Sequence, residues 1–217
     1  MTTKTYNEYC AIAHALDVIG ERWSLLIIRN LLIAPQRFSD LRNGLPGVST
    51  NILTDRLNML EKHKVITTRY LPPPAASTVY ELTEHGRGLT EALAALARWG
   101  SVTLGKPEEG QSVVKEAVCF MLQGVFWRDD YLDVGLKCNV QVKDKGYEQT
   151  FGITLDSKGV AITGLLEEPD VKIRLGLEPL NLLSSHQKRL GELVAADEAE
   201  ITGSEKNVQS LYNWMID

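Results

Sequence analysis

Asn51, Thr54, Asp55, Asn58 and Lys62 lie within the stretch LPGVSTNILTDRLNMLEKHKVI, residues 45–66, and carry amide, hydroxyl, carboxylate and ammonium groups. Advanced at ~100° per residue, they fall roughly 100–200° from Leu53, whereas Ser49, Leu57 and Leu60 fall within about 40° of it. A helix over this stretch has a leucine edge to bury and a polar edge to offer. Amides and hydroxyls are the donors and acceptors that read base edges in a groove ~12 Å wide. The free amides of an open helix start suit a phosphate. Ser49 is placed to cap the helix by accepting from the amide of Asn51 or Ile52, and the Pro46-Gly47 pair before it marks a turn. The candidate DNA-contacting residues are therefore Ser49, Thr50, Asn51, Thr54 and Asn58. Arg37, Arg42, Arg56 and Arg69 are candidate phosphate ligands. Most polar helix faces are simply solvated. Arg56 lies at the edge of the leucine stripe and is equally placed for a structural ion pair with Asp40 or Glu61. The flanking elements decide between these readings.

Upstream, EYCAIAHALDVIGERWSLLIIRNLLIAP repeats apolar residues at helical spacing, first Ile12, Leu16 and Ile19, then Trp23, Leu26, Ile27, Leu31 and Leu32. Gly20 falls at the junction of the two helices and Pro35 stops the second. QRFSDLRNGL predicts a short helix with Ser39 as its cap and Phe38, Leu41 and Leu45 turned inward. Downstream, VITTRYL and STVYELT change to a period of two around PPPAA, the pattern of a hairpin with a stiff tip. TEHGRGLTEALAALARWG then predicts a helix from near Thr83 to Gly100, with Leu89, Leu93, Leu96 and Trp99 on one stripe. Helix, helix, short helix, turn, capped helix, hairpin and helix is the order of a winged helix-turn-helix.

SVTLGKPEEGQS reads as a linker, dividing the 217 residues into regions 1–103 and 112–217. Beyond it, the spacing predicts a helix over 113–124. The strands LDVGLKCNVQVKD, YEQTFGITLD and GVAITGLL follow, then a strand leading into a short helix, and a last strand and helix. The fold class expected is α+β, a winged helix-turn-helix followed by an α/β domain. The net charge of −5 is unevenly spread, with 11 Lys+Arg against 9 Asp+Glu in residues 1–105 and 12 against 19 in residues 106–217. Phosphate contact is decided within a Debye length of about 8–10 Å, so an acidic whole can carry a DNA-binding surface. No apolar run approaches the ~20 residues of a transmembrane helix, and MTTKTYNEYC has no signal core, so a cytoplasmic protein without membrane partners is expected. Cys10, Cys119 and Cys138 are too far apart for a disulfide framework or metal-ligand spacing. His14, His63, His85 and His186 sit apart from one another and from any nucleophile, and neither a glycine-rich phosphate loop nor paired catalytic carboxylates occur. A non-enzyme without metal or cofactor is expected.

DVIGERWSLLIIRNLL, QRFSDLRNGLPGVSTNILTDRLNMLEKHKVI and VYELTEHGRGLTEALAALARWG together resemble the HxlR-type winged-helix regulators, relatives of the MarR regulators, from about Tyr9 to Gly100. The resemblance implies a homodimer on a pseudo-palindromic operator in double-stranded DNA. It puts the helix over 49–62 in the major groove, the hairpin over 66–82 as the wing, and the dimer contact on the first helix and the helix ending at Trp99. LPPPAAST departs from the pattern, since its wing tip carries no Lys or Arg. Some members of the family sense oxidants through a cysteine near the start of the first helix, which makes Cys10 the candidate redox residue. EPDVKIRLGLEPLNLLSS and LGELVAADEAEITGSEKNVQSLYNWM resemble, more loosely, the C-terminal part of sterol carrier protein type-2-like domains. That likeness implies an α/β layer around a hydrophobic tunnel, hence a small hydrophobic effector. Taken one by one, Leu180, Leu182, Leu183, Leu211 and Trp214 are better read as simply filling a core. A lipid or small-molecule carrier whose winged helix serves protein contacts, and a regulator sensing oxidants through Cys10, remain alternative functions.

Overall fold

Leucines three and four residues apart build one side of the first unit. In the computed structural model, which describes residues 5–126, 135–157 and 159–215, the chain forms two units. They are Met1–Ala94 with Val114–Ala117, and Ala95–Val113 with Val118–Asp217. The first unit runs through α1 (Ala11–Ile19), α2 (Ser24–Ile33), α3 (Phe38–Asn43) and α4 (Thr50–Lys62). The antiparallel hairpin of β1 (Ile66–Leu71) and β2 (Ser77–Leu82) follows, then α5 (Glu84–Arg87) and the start of α6 (Thr90–Leu104). Ile27, Ile28, Leu31, Leu41, Leu45, Leu53, Leu57, Leu60 and Ile66 are all buried. Each such side chain contributes about 1.5–3 kcal/mol relative to exposure.

Two local devices set the hairpin's position. Gln36 pairs with β2 in an isolated antiparallel bridge, its amide donating to the Tyr80 carbonyl at 3.0 Å and Tyr80 returning the bond at 2.8 Å. Thr83 then turns the chain: its hydroxyl accepts from the Gly86 amide at 3.0 Å and donates to the Lys64 carbonyl at 2.6 Å. Gly86 lies so close to the Val65 carbonyl that a Cβ there would collide with it.

The structure departs from two expectations over these helices. Ser39 does not cap α3. Asp40 does, its carboxylate accepting from the Arg37 amide at 3.2 Å, while Ser39 merely donates to Asp40 at 3.3 Å. A carboxylate in the first turn also meets the positive end of the helix dipole, which a hydroxyl cannot exploit. The helix expected over 83–100 is two helices, and the second passes through Gly100 to Leu104 into the expected linker. Open space surrounds Gly100, so only its propensity cost of roughly 1 kcal/mol opposes continuation. Along the α6 stripe Leu93 is buried, while Trp99 is 79% and Leu96 50% exposed. On α1, Ile12 and Leu16 are exposed in the same way.

The second unit continues with α7 (Lys115–Phe126), β3 (Leu136–Asp144), β4 (Tyr147–Asp156), β5 (Gly159–Thr163) and β6 (Val171–Leu175). It ends with α8 (Leu177–Ser184), α9 (Leu190–Ala195), β7 (Ala199–Gly203) and α10 (Glu205–Met215). The first residues of the LDVGLKCNVQVKD run lie outside the described residues. The sheet order is β5-β4-β3-β6-β7, antiparallel except for the parallel β3–β6 pair. Alternation gives the sheet one apolar face, with Val140, Val142, Phe151, Ile153, Val171 and Leu175 buried together with Leu180, Leu183, Leu211 and Trp214 of the helices. Trp214 donates its indole N–H to the Phe126 carbonyl at 3.1 Å. Leu182 is half-buried.

Candidate nucleic-acid interface

The helix α4 has the two-edged character that its sequence predicts. Leu53, Leu57 and Leu60 are buried, while Thr50, Asn51, Thr54, Asp55, Asn58 and Lys62 are exposed. Gly47, in the left-handed region at φ +89°, reverses the chain ahead of it. Ser49 then caps it, its hydroxyl accepting from the Ile52 amide at 3.3 Å. Thr54 donates its hydroxyl proton to the Thr50 carbonyl at 2.9 Å, which leaves its methyl and the oxygen lone pairs facing outward. Asn51 and Asn58 have no intramolecular hydrogen-bond partner among the described residues. Ile52, 40% exposed at the start of the helix, joins this surface. Sequence spacing put Ile52 about 100° from Leu53, yet its apolar type masked the signal.

The arginines divide into engaged and free. Arg56 is held against the turn between α1 and α2, where it pairs with Glu21 at 3.0 Å and donates to the Arg22 carbonyl at 3.3 Å. Its partner is thus Glu21, and neither Asp40 nor Glu61. The pair joins α4 to a corner 35 residues away in sequence, which helical spacing cannot reveal. Arg69 pairs across the hairpin with Glu81 at 2.9 Å. Arg42 is exposed and makes no ion pair among the described residues. Arg37 reaches the wing: its guanidinium donates to the Ala75 carbonyl at 3.4 Å, bringing a cation to a tip that carries none in its own sequence. The bridge between Gln36 and Tyr80, one residue earlier, makes that reach available.

Behind the helix lies a buried polar contact. Arg29 donates twice to the Asn30 side-chain oxygen, at 3.0 and 2.7 Å, and the Asn30 amide reaches the Gly44 carbonyl at 3.4 Å. Burial lowers the Arg29 pKa from its usual value, an effect that the nearby Glu116 carboxylate opposes. The network fixes the end of α3, from which the turn into α4 departs.

Against known families, the model of the HxlR-like helix-turn-helix matches residues 18–108. An uncharacterized HTH-type transcriptional regulator of Synechocystis, sll1512, is 37% identical over 92 residues, which cover 42% of this chain and 68% of that protein. The chain belongs to the HxlR-like helix-turn-helix family. Another relative in the family, the uncharacterized HTH-type regulator YvaP of Bacillus subtilis, is 33% identical over 87 residues, covering 40% of this chain and 81% of its own. Among solved structures, the reduced form of the regulator YodB from B. subtilis is 27% identical over 46% of this chain and all of its own, with a TM-score of 0.40. The HxlR-like match includes α4, the hairpin and α6, begins after Cys10, and leaves residues 109–217 outside.

Proposed function

We propose that this HxlR-like protein is a sequence-specific, DNA-binding transcriptional regulator that works as a cytoplasmic homodimer on a pseudo-palindromic operator. The observation that carries the reading is the outer row of α4. Its amides are exposed and unpaired on a helix whose opposite edge is clamped by buried leucines and by the Arg56–Glu21 pair. Placed in a major groove, Asn51, Thr54 and Asn58 face base edges. Ser49 and Thr50 bring the helix start to a phosphate, Arg37 and Arg42 flank it, and Arg69 reaches a phosphate only by leaving Glu81. The names of the relatives, HTH-type transcriptional regulators, support the same assignment. The exposed apolar residues Ile12 and Leu16 on α1, and Leu96, Trp99 and Val102 on α6, support dimerisation through those helices. No helix among the described residues is long and apolar enough to cross a membrane.

The domains proposed are 1–103 for DNA and 112–217 as a sterol-carrier-like accessory domain for a small hydrophobic effector. The single helical layer against one sheet supports that likeness. The residues that would line a tunnel are instead packed: Leu180, Leu211 and Trp214 are at most 1% exposed. A cleft of about 550 Å³ lies on the opposite, polar face of the sheet, bordered by Gln141, Thr150, Lys172, Arg174 and the loop carrying Leu165. Effector control needs only a coupling that changes operator affinity about 5–150-fold. The decisive measurement is duplex binding by the full chain across a salt series. A steep negative slope with preference for one sequence is expected. Salt-independent binding, or none to any duplex, would return the protein to the carrier reading, with the winged helix as a protein-contact module.

A further inference from the structure

The outer row of α4 contains a residue that the amide-and-hydroxyl reading passes over. Asp55 lies between Asn51 and Asn58 on the face opposite Leu53, is exposed, and its carboxylate makes no hydrogen bond or ion pair among the described residues. Asn51, Asp55 and Asn58 stand at i, i+4 and i+7, one above another on a helix. At ~1.5 Å per residue they span about 10 Å, the rise of roughly three base pairs at ~3.4 Å each. The one arginine on α4, Arg56, is turned away to Glu21. No cation therefore stands beside Asp55 in the first two turns of the row.

We propose that Asp55 sets operator specificity by demanding an amino-bearing base, adenine or cytosine, on the strand it faces and rejecting guanine and thymine there. This inference rests on the reading of α4 as the groove-entering helix. An ionised carboxylate only accepts hydrogen bonds. In the major groove the exocyclic donors are N6 of adenine and N4 of cytosine, while guanine presents N7 and O6 and thymine O4, all acceptors. Opposite an amino group, Asp55 replaces the hydrogen bond to water that docking removes. Opposite a keto group, it is a desolvated charge facing acceptors, which costs more than the missing bond alone. The flanking asparagines each carry both donor and acceptor and pair bidentately with adenine. The row therefore reads an amino-rich strand over about three base pairs. Exclusion at its centre comes from Asp55, and affinity comes from its neighbours.

The test is selection of half-sites from a randomised duplex library by the full-length protein and by Asp55→Ala, followed by binding to duplexes carrying purine in place of the selected adenine. For the wild type, one column should be confined to adenine or cytosine on one strand. In Asp55→Ala that column should become indifferent, while affinity for random duplex rises because a charge repelled by phosphate has gone. Removing the adenine amino group should weaken the wild type by roughly 5- to 10-fold, the range of one base-directed hydrogen bond, and Asp55→Ala hardly at all. Identical selected sites for the two proteins, or a relaxed column that had admitted both amino and keto bases on one strand, would overturn the proposal. Loss of all salt-dependent duplex binding by the wild type would instead strike the DNA-binding reading itself. Asp55→Asn, which keeps the helix surface polar, separates reading from folding. Its added N–H donors should admit guanine and thymine to the column while adenine is retained.

Discussion

Each unit carries a polar surface backed by an apolar one, and the two surfaces use their hydrogen-bonding capacity differently. On the outer face of the sheet the polar groups satisfy one another. Gln141 donates to Glu148 at 2.9 Å, Lys143 pairs with the same carboxylate at 2.9 Å, and Arg174 lies 3.6 Å from Glu200. Asn139 exchanges two bonds with the backbone of Leu166, at 2.9 and 3.0 Å. On the outer row of α4, Asn51, Asp55 and Asn58 have no such partners among the described residues, and the side chain that could have neutralised the row, Arg56, is drawn off to Glu21. Polarity alone therefore does not mark an interface. Unused capacity on a rigidly held element does, because only there does a partner gain bonds without first breaking others.

The largest expected effect comes from loosening what holds the row. Leu53→Ala, at a position with no exposure, should cost about 2–5 kcal/mol of stability in urea unfolding, and duplex binding should fall with it. Asn51→Ala with Asn58→Ala should leave the unfolding midpoint in place. It should nevertheless weaken binding to the selected operator by roughly 1–3 kcal/mol for each bidentate pairing with a base that it removes. The paired control is Gln141→Ala with Glu148→Ala on the sheet, which should not change DNA affinity. Equal effects of the two double variants would break the contrast between the surfaces.

Much of the first unit was legible because its determinants are local. The leucine spacing, the Ser49 cap and the period-two hairpin each act within a few residues, and α4 and the wing formed where they were expected. What escaped was long-range. The Arg56–Glu21 pair and the reach of Arg37 to the Ala75 carbonyl join residues 35 and 38 apart in sequence, and neither leaves a periodic trace. Spacing alone did not say which way Trp99 of α6 turns, since an apolar stripe has the same period whether it faces a core or solvent. The family resemblance, not the periodicity, put it on an outer surface. In the second unit the strands could be read from alternation. Their order could not, because the parallel β3–β6 pairing depends on a crossover rather than on a turn. The short helix α9 escaped too.

A smaller effect separates the clamp from the proposed phosphate ligands. Arg56→Ala should lower both stability and affinity modestly, because an ion pair this exposed contributes little by itself. The slope of log affinity against log salt should remain as in the wild type. Arg42→Ala should do the reverse, leaving unfolding unchanged and reducing that slope by about one. If Arg56→Ala also reduced the slope, its guanidinium would be shared between Glu21 and a phosphate, and the engaged and free arginines would no longer form distinct classes.

The smallest effect expected is at the thiols, which extend the contrast to chemistry. Cys119 and Cys138 are buried in the second unit, whereas Cys10, at the start of α1, is partly exposed. A thiol reagent should therefore modify one group per native chain and all three after unfolding. Burial, aided by the nearby Asp170 carboxylate, raises the Cys138 pKa to about 12. In the unfolded chain that thiol ionises at its ordinary, lower value, so between the two the folded state holds the extra proton. Stability should then decline as pH rises above the ordinary thiol range towards 12. The decline should be visible as a falling urea midpoint and be reduced in Cys138→Ala. Were Cys138 modified in the native protein as fast as Cys10, the second unit would be opening on the timescale of the reaction, and its self-satisfied sheet face would be less rigid than the α4 row it is contrasted with.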